Sequence, residues 1–275
     1  LTALVDDRPA EQVFRVHPAI FSDTDIFELE IKHIFERTWS FIALESQLAK
    51  PHDFITGRIG RTPVLLTRDG DGRLHGFLNI CRHKGALLCR SDSGNRRSHV
   101  CVYHGWSFDS TGRNIYVRDG ETGFYGEGFR HEDHDLVALA RVQSYKGLVF
   151  ASLNPNVPPL EEFLGEMRPI IDLAMEQGPH GMEAVPGRMR YTFQGNWKLQ
   201  MDNGQDFYHL GSTHTSFLRV LQRRSEGAGH KEGHQYDWKK RMAQQAGMFQ
   251  YEHGHNAVWI NQPEPANRPI YPFID

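Results

Sequence analysis

The chain has 275 residues, of which 39% are hydrophobic and 24% charged, with a formal net charge of -3. That balance sustains a packed core and excludes a disordered chain, and the lack of a basic stripe argues against a nucleic-acid partner. No apolar run nears the roughly 18 residues of a membrane-crossing helix. Three cysteines do not make a disulfide framework, so a reducing, cytoplasmic setting is expected.

The opening LTALVDDRPAEQ has neither the basic nor the apolar region of a secretory signal. It does not begin with Met, so an upstream start is expected. Residues 22–39, SDTDIFELEIKHIFERTW, read as an amphipathic helix with Ser22 as N-cap and Phe27, Ile31, Ile34 and Phe35 as its apolar stripe. From about 40 to 155 the texture changes. Short β-prone runs (62–67, 74–80, 146–153) alternate with the turn signals RDGDGR and STGR. NPNVPP (154–159) reads as a linker into a helix at 160–177, with a kink at Pro169. A strand is expected at 188–194, and a polar loop with some helix at 222–247. The fold class is therefore α+β. The divisions are an N-terminal helical segment at 1–39, a small all-β domain at 40–155 and a second domain at 156–275.

The β domain carries Cys81-x-His83 and, 17 residues on, Cys101-x-x-His104. Two thiols and two imidazoles at this spacing suit a [2Fe–2S] cluster, with Cys81 and Cys101 on one iron and His83 and His104 on the other. Neutral imidazoles in place of two thiolates remove negative charge and raise the reduction potential. Gly85 and Gly105 let the backbone approach the sulfurs. A Cys2His2 zinc site is the competing reading, but its usual C-x2-C and H-x3-H spacings are absent. Cys89, the third thiol, reads as a small buried hydrophobe.

A second constellation lies in DNGQDFYHLGSTH: Asp206, His209 and His214, spaced D-x2-H-x4-H. Asp206 and His209 would share a helix face. His209 and His214, five apart, would diverge by about 140° on an ideal helix, so they meet only where the helix is distorted or ends. Two imidazoles and a carboxylate make the facial triad of a mononuclear Fe(II) site. The bland reading of such a pair, two satisfied surface histidines, loses weight beside the upstream motif. HEDHD (131–135) and GHKEGH (229–234) read as solvated loops, and only a resemblance of their stretch to a pocket sheet would bring His253 and His255 of EHGH (252–255) near substrate or its path.

CRHKGALLC…CVYHGWSF resembles the cluster motif of the ring-hydroxylating Rieske non-haem iron oxygenases, and GNWKLQMDNGQDFYHLGSTH resembles their catalytic-domain motif. The likeness extends over nearly the whole chain and is strongest to the large subunits of benzoate, anthranilate and halobenzoate dioxygenases. It implies a helix-grip catalytic domain that this chain covers only in part. It implies His209 and His214 as iron ligands, with Asn203 and Tyr208 beside the iron. Asp206 would link His209 to a cluster histidine, His104, of a neighbouring copy. Where the family has Glu-Asn, this chain has Asp202-Asn203. The family's third ligand, an Asp, would fall beyond residue 275. The resemblance further implies an aromatic carboxylate substrate with O2, electrons from a ferredoxin or NAD(P)H reductase, a homotrimer of large subunits, and small β subunits. A monooxygenase or demethylase of the same family, a Rieske electron carrier and a zinc-stabilised binding module are the alternatives.

Overall fold

In the computed structural model, residues 2–176, 182–185, 187, 189–206, 208–217, 219–220, 223 and 245–260 are described. The loop expected at 222–247 and GHKEGH lie almost wholly outside them. The chain divides into two compact units. The first joins Leu1–Ser22, Leu164–Met182 and Met189–Asp275; the second joins Asp23–Phe163 and Glu183–Arg188.

The first unit opens with an antiparallel hairpin, β1 (Val5–Arg8) on β2 (Val13–Val16), followed by the short helix α1 (Ala19–Ser22). The expected amphipathic helix begins one residue later than the sequence suggests, as α2 (Thr24–Glu30). Asp23, not Ser22, caps it, its carboxylate accepting from the N–H groups of Asp25 and Ile26 at 2.8 and 3.2 Å. The helix then widens into a π turn over Ile31–Phe35 and does not reach position 39.

Next come β3 (Ser40–Leu44), β4 (Asp53–Ile59), β5 (Thr62–Arg68), β6 (Leu74–Leu78), β7 (Ser93–Asn95), β8 (Ser98–Val100), β9 (Ser107–Asp109), β10 (Asn114–Tyr116), β11 (Arg141–Tyr145) and β12 (Leu148–Ser152). They form a four-stranded sheet in the order β6-β5-β4-β7 and two three-stranded sheets, β11-β12-β3 and β10-β9-β8. Side chains alternate across a strand, so consecutive residues face opposite sides. Val64 and Leu66 enter one apolar cluster with Ile42, Ile55, Val149 and Ala151, while Leu65 enters another with Phe54, Phe77, Trp106 and Phe108. The sheet is covered on both faces, which is why TPVLLT shows an unbroken apolar run where a half-exposed strand would alternate. Cys81, Cys89 and Cys101 belong to the second cluster.

Both turn signals form through the same device. In RDGDGR the Asp69 carboxylate accepts from the N–H groups of Asp71 and Arg73, and in DSTGR that of Asp109 accepts from those of Thr111 and Arg113. Gly72 and Gly112 take the left-handed backbone, φ 83° and 84°, that closes each turn.

His99, on β8, is 2% exposed, and neither ring nitrogen has a hydrogen-bond partner. Its ring stands edge-on to Phe54 at 5.0 Å. Burial, with the Arg96 charge adding to it, lowers its pKa to about 4. The folded value lies below the unfolded one. The neutral ring's contribution is therefore intact above pH about 6.5 and is lost as pH falls from there towards 4. At about 1.4 kcal/mol per unit this amounts to roughly 3 kcal/mol. Denaturant titrations between pH 7 and 4 should show that loss, and His99→Phe should flatten it.

The helix expected at 160–177 is broken, not kinked. α3 (Leu160–Leu164) gives way to a 3-10 turn at Gly165–Met167, and α4 (Arg168–Met175) restarts with Pro169 in its first turn. Gly165 has φ 48°, outside helical space, so the break precedes the proline. The strand expected at 188–194 does not form over the described residues 189–194. Tyr191 is 79% and Met189 78% exposed, so the β-prone side chains have no pleated surface to pack on. The chain continues through α5 (Trp197–Gln205), α6 (Leu210–Thr213) and the hairpin of β13 (Ala246–Gln250) with β14 (Asn256–Ile260).

Candidate functional site

The first donor set sits on twin turns of the β-rich unit. In one, the Cys81 N–H donates to the Ala86 carbonyl and the Gly85 N–H returns to the Cys81 carbonyl, at 2.8 and 3.0 Å. In the other, Cys101 donates to Trp106 and Gly105 to Cys101, at 2.8 and 2.9 Å. Both glycines are left-handed, φ 72° and 76°. The repeat brings the donors together in like pairs. The His83 and His104 Nδ1 atoms lie 3.1 Å apart, and the Cys81 and Cys101 thiols are within hydrogen-bond reach. All three cysteines are unbridged. Burial raises the Cys81 thiol's pKa, partly countered by the backbone N–H groups of His83 and Lys84 aimed at its sulfur. Burial lowers that of His83, helped by His104 and Lys84.

Among the described residues no three His, Cys, Asp or Glu side chains are disposed around a single metal ion. Two thiols beside two imidazoles match a two-iron cluster instead, in which each iron takes two protein donors and sulfide bridges supply the rest. The Asn79 side chain steadies the first turn from behind, accepting from the Cys89 N–H and donating to its carbonyl, both at 2.8 Å. Cys89 is 4% exposed and its thiol reaches only the Ser91 carbonyl.

The second donor set lies where α5 ends. Asp206 leaves the helix in extended conformation, φ -96° and ψ 120°, so Asp206 and His209 do not share the helix face expected of them. The Asp206 carboxylate instead folds the next turn onto itself. One oxygen accepts from the Tyr208 N–H at 2.6 Å; the other meets His209 Nδ1 at 2.8 Å. The His209 carbonyl starts α6, accepting from Thr213 at 2.8 Å. His214 follows that single turn, and its Nε2 reaches His209 Nε2 at 3.2 Å. The pair thus converges through a helix interruption, which the i, i+5 spacing required. The hydrogen bond from His209 holds Asp206 below the usual carboxylate range. With Nδ1 tied to Asp206, His209 keeps Nε2 for a metal, the arrangement that orients metal-bound imidazoles generally.

Asn203 lies exposed on α5, and Tyr208 is 95% exposed. The Asp202 carbonyl accepts from the Asp206 N–H at 3.0 Å. His253 and His255 occupy the turn of the β13–β14 hairpin, ring centroids 6.3 Å apart. A cleft of about 470 Å³ lined by Ile115, Val117, Phe129, Arg130 and His131 contains none of the nominated donors. Asp206→Asn in the full-length protein should lower iron affinity and turnover about 10- to 100-fold, the usual cost of removing an imidazole's orienting partner. Iron content per chain and steady-state rate check this.

Sequence reasoning passed over two side chains here. Trp106 stacks on His83, centroids 4.8 Å apart and planes 11° from parallel; Tyr103 lies 3.8 Å from the His104 ring. Both were visible as the aromatics of CVYHGW. HEDHD is also no plain solvated loop. The His134 ring packs 5.4 Å from Trp106, and His131 Nδ1 bonds the Asn114 carbonyl.

Two family models match the chain. Residues 38–123 match the Rieske [2Fe-2S] domain, and residues 182–271 match the ring hydroxylating alpha subunit catalytic domain. The chain is 38% identical to toluate 1,2-dioxygenase subunit alpha of Pseudomonas putida over 98% of its own length and 60% of the relative's. It is 39% identical to the 2-halobenzoate 1,2-dioxygenase large subunit of Burkholderia cepacia, over 97% and 57%. The chain thus spans well under two thirds of these relatives. Among solved structures, naphthalene 1,2-dioxygenase from Rhodococcus sp. bound to indole matches 74% of this chain and 47% of its own, with TM-score 0.71 and 33% identity. A quaternary ammonium Rieske monooxygenase in complex with L-carnitine matches 74% and 56%, with TM-score 0.65 and 28% identity. Among the described residues no helix is long and apolar enough to cross a membrane. The two family-model matches, with 38% and 39% identity to these relatives along nearly the whole of this chain, show that this chain belongs to the large, alpha subunits of the ring-hydroxylating Rieske oxygenases.

Proposed function

We propose that this chain is the large subunit of a dioxygenase that hydroxylates the ring of an aromatic carboxylate such as benzoate, anthranilate, salicylate or a halobenzoate. The observation that carries the reading is the second donor set: two imidazole Nε2 atoms at 3.2 Å, one locked from behind by Asp206. An electron carrier has no use for it. Cys81, His83, Cys101 and His104 would hold a [2Fe–2S] cluster; His209, His214 and a carboxylate from outside the described residues would hold a mononuclear iron. The cluster supplies one-electron storage and the iron supplies the redox chemistry that activates O2.

The protein's own contribution is placement. Thiols give up their protons on binding iron, and the burial that favours the neutral thiol of Cys81 makes that step proton-releasing. Asp206 fixes which His209 nitrogen carries the proton and leaves the other free to bind. Asn203 and Tyr208 are proposed beside that iron. Toluate and halobenzoate relatives carry the carboxylate preference into the proposal. Cytoplasmic residence, a ferredoxin or NAD(P)H reductase as donor, three large subunits in a ring and accompanying small β subunits complete it.

The test is 18O2 incorporation by the full-length protein with its reductase on those four substrate types. Two labelled oxygens in one product, a cis-diol or the catechol derived from it, are expected. One labelled oxygen would favour monooxygenation instead, a reading with its own support in the likeness to the quaternary ammonium enzyme. No labelled product from any of the four would overturn the carboxylate assignment.

A further inference from the structure

The twin turns share one backbone frame but not the same side chains. Matching the two frames, Ala86 and Trp106 are equivalent: each offers the carbonyl that accepts from the frame's cysteine N–H. Only the second position has a large ring. That indole crosses to the imidazole of the other turn and lies almost flat on His83, planes 11° apart. Behind it stand Tyr125, Phe129 and His134, at 6.3, 6.1 and 5.4 Å between centroids and steeply inclined to it. Trp106 is 2% exposed, and its Nε1 has no hydrogen-bond partner. An indole buried at the expense of its N–H is held there for its faces, since buried Trp normally finds a partner.

His104 is held differently. Its neighbour is Tyr103, 3.8 Å away and tilted by 35°, a ring that is itself 64% exposed. One imidazole is gripped from the core and the other is covered from solvent.

We propose that Trp106 is a positioning residue specific to His83, a clamp backed by Tyr125, Phe129 and His134, and that the two cluster histidines are held with unequal rigidity. A flat stack resists rotation of the imidazole about its bond to Cβ, because turning the ring gives up the contact. It therefore keeps Nδ1 directed at the point where Nδ1 of His104 also aims, 3.1 Å away. The inference rests on the cluster assignment made above.

The experiment uses full-length protein grown with 15N-histidine, reconstituted with iron and sulfide and reduced. Pulsed EPR then reads the couplings of the two ligand nitrogens. Trp106→Phe, which keeps a flat ring, should retain both couplings. Trp106→Leu should shift and broaden one, and Tyr103→Leu should move the other. Phe129→Leu, on the far side of the indole, should move the same coupling as Trp106→Leu by a smaller amount. Trp106→Leu leaving both couplings unchanged, or moving both alike, overturns the clamp. If Trp106→Leu does not fold, Phe129→Leu decides by the same criterion. Wild-type protein that takes up no [2Fe–2S] spectrum would overturn the cluster assignment first, and the clamp with it.

Discussion

Replacing His209 by alanine in the full-length protein will abolish the proposed ring oxygenation while leaving the visible spectrum of a reconstituted [2Fe–2S] cluster intact. The expectation follows from how the two donor sets are built. Among the described residues His209 provides one of the two imidazoles that meet beyond the end of α5, and its Nε2 lies 3.2 Å from its partner's. Its removal also strands Asp206, whose carboxylate the His209 hydrogen bond holds below the usual carboxylate range. Losing an orienting partner alone costs about 10- to 100-fold, so loss of a direct donor should exceed about 100-fold in turnover. The four cluster donors are carried by other turns, at 81–86 and 101–106, and should bind iron and sulfide as before. Product yield and cluster absorbance on one sample decide it. Undiminished turnover would remove His209 from the iron, whereas loss of both signals would mean that the substitution unfolds the chain.

Gly112→Ala will destabilise the protein by about 3 kcal/mol, and Gly72→Ala by clearly less. The two glycines occupy the same position in matching Asp-x-x-Gly-Arg turns, with φ 84° and 83°. Either alanine meets the left-handed penalty of about 1–2 kcal/mol. At Gly72 nothing lies within 4 Å of the added methyl. At Gly112 it would come within 2.3 Å of Phe77 Cε1, and Phe77 is a core ring, 5% exposed. Displacing a packed ring adds about 1–3 kcal/mol. Urea melts of the two variants separate the contributions. Equal losses would show that the Phe77 ring yields freely.

Much of this molecule could be read from its residues in order, where the controlling interaction is local. Asp69 and Asp109 close their own turns with N–H groups two and four residues on, so RDGDGR and STGR announced themselves. The cysteine and histidine pairs are likewise short-range: Cys81 and Gly85 close one loop, Cys101 and Gly105 the other. What escaped was decided across the chain. The stacking of Trp106 on His83 joins two turns that are well separated in sequence, and nothing in either turn alone specifies it. Tyr191 and Phe193 have strand character, but a strand needs a neighbour's hydrogen bonds, and 189–194 lies in no sheet. At α5 the spacing demanded an interruption without locating it. It falls at His214, in a turn directly after the single helical turn α6, while the earlier break at the end of α5 is closed by the Asp206 carboxylate, which competes for the N–H of Tyr208. The break at Gly165 was obscured by a proline four residues on, the more familiar breaker.

The twin turns bear on how such a centre can change over time. Both use one backbone grammar: a cysteine, a histidine, a left-handed glycine and a carbonyl that closes the loop. The residue supplying that carbonyl does so whatever its side chain, as Ala86 and Trp106 show. The scaffold is thus separated from its tuning. The bonds that set the frame run through the main chain at positions 86 and 106, so the two halves keep one geometry with very different side chains. A duplicated frame is thus one instrument built twice, and what distinguishes its halves is the ring that the core packs onto one of them.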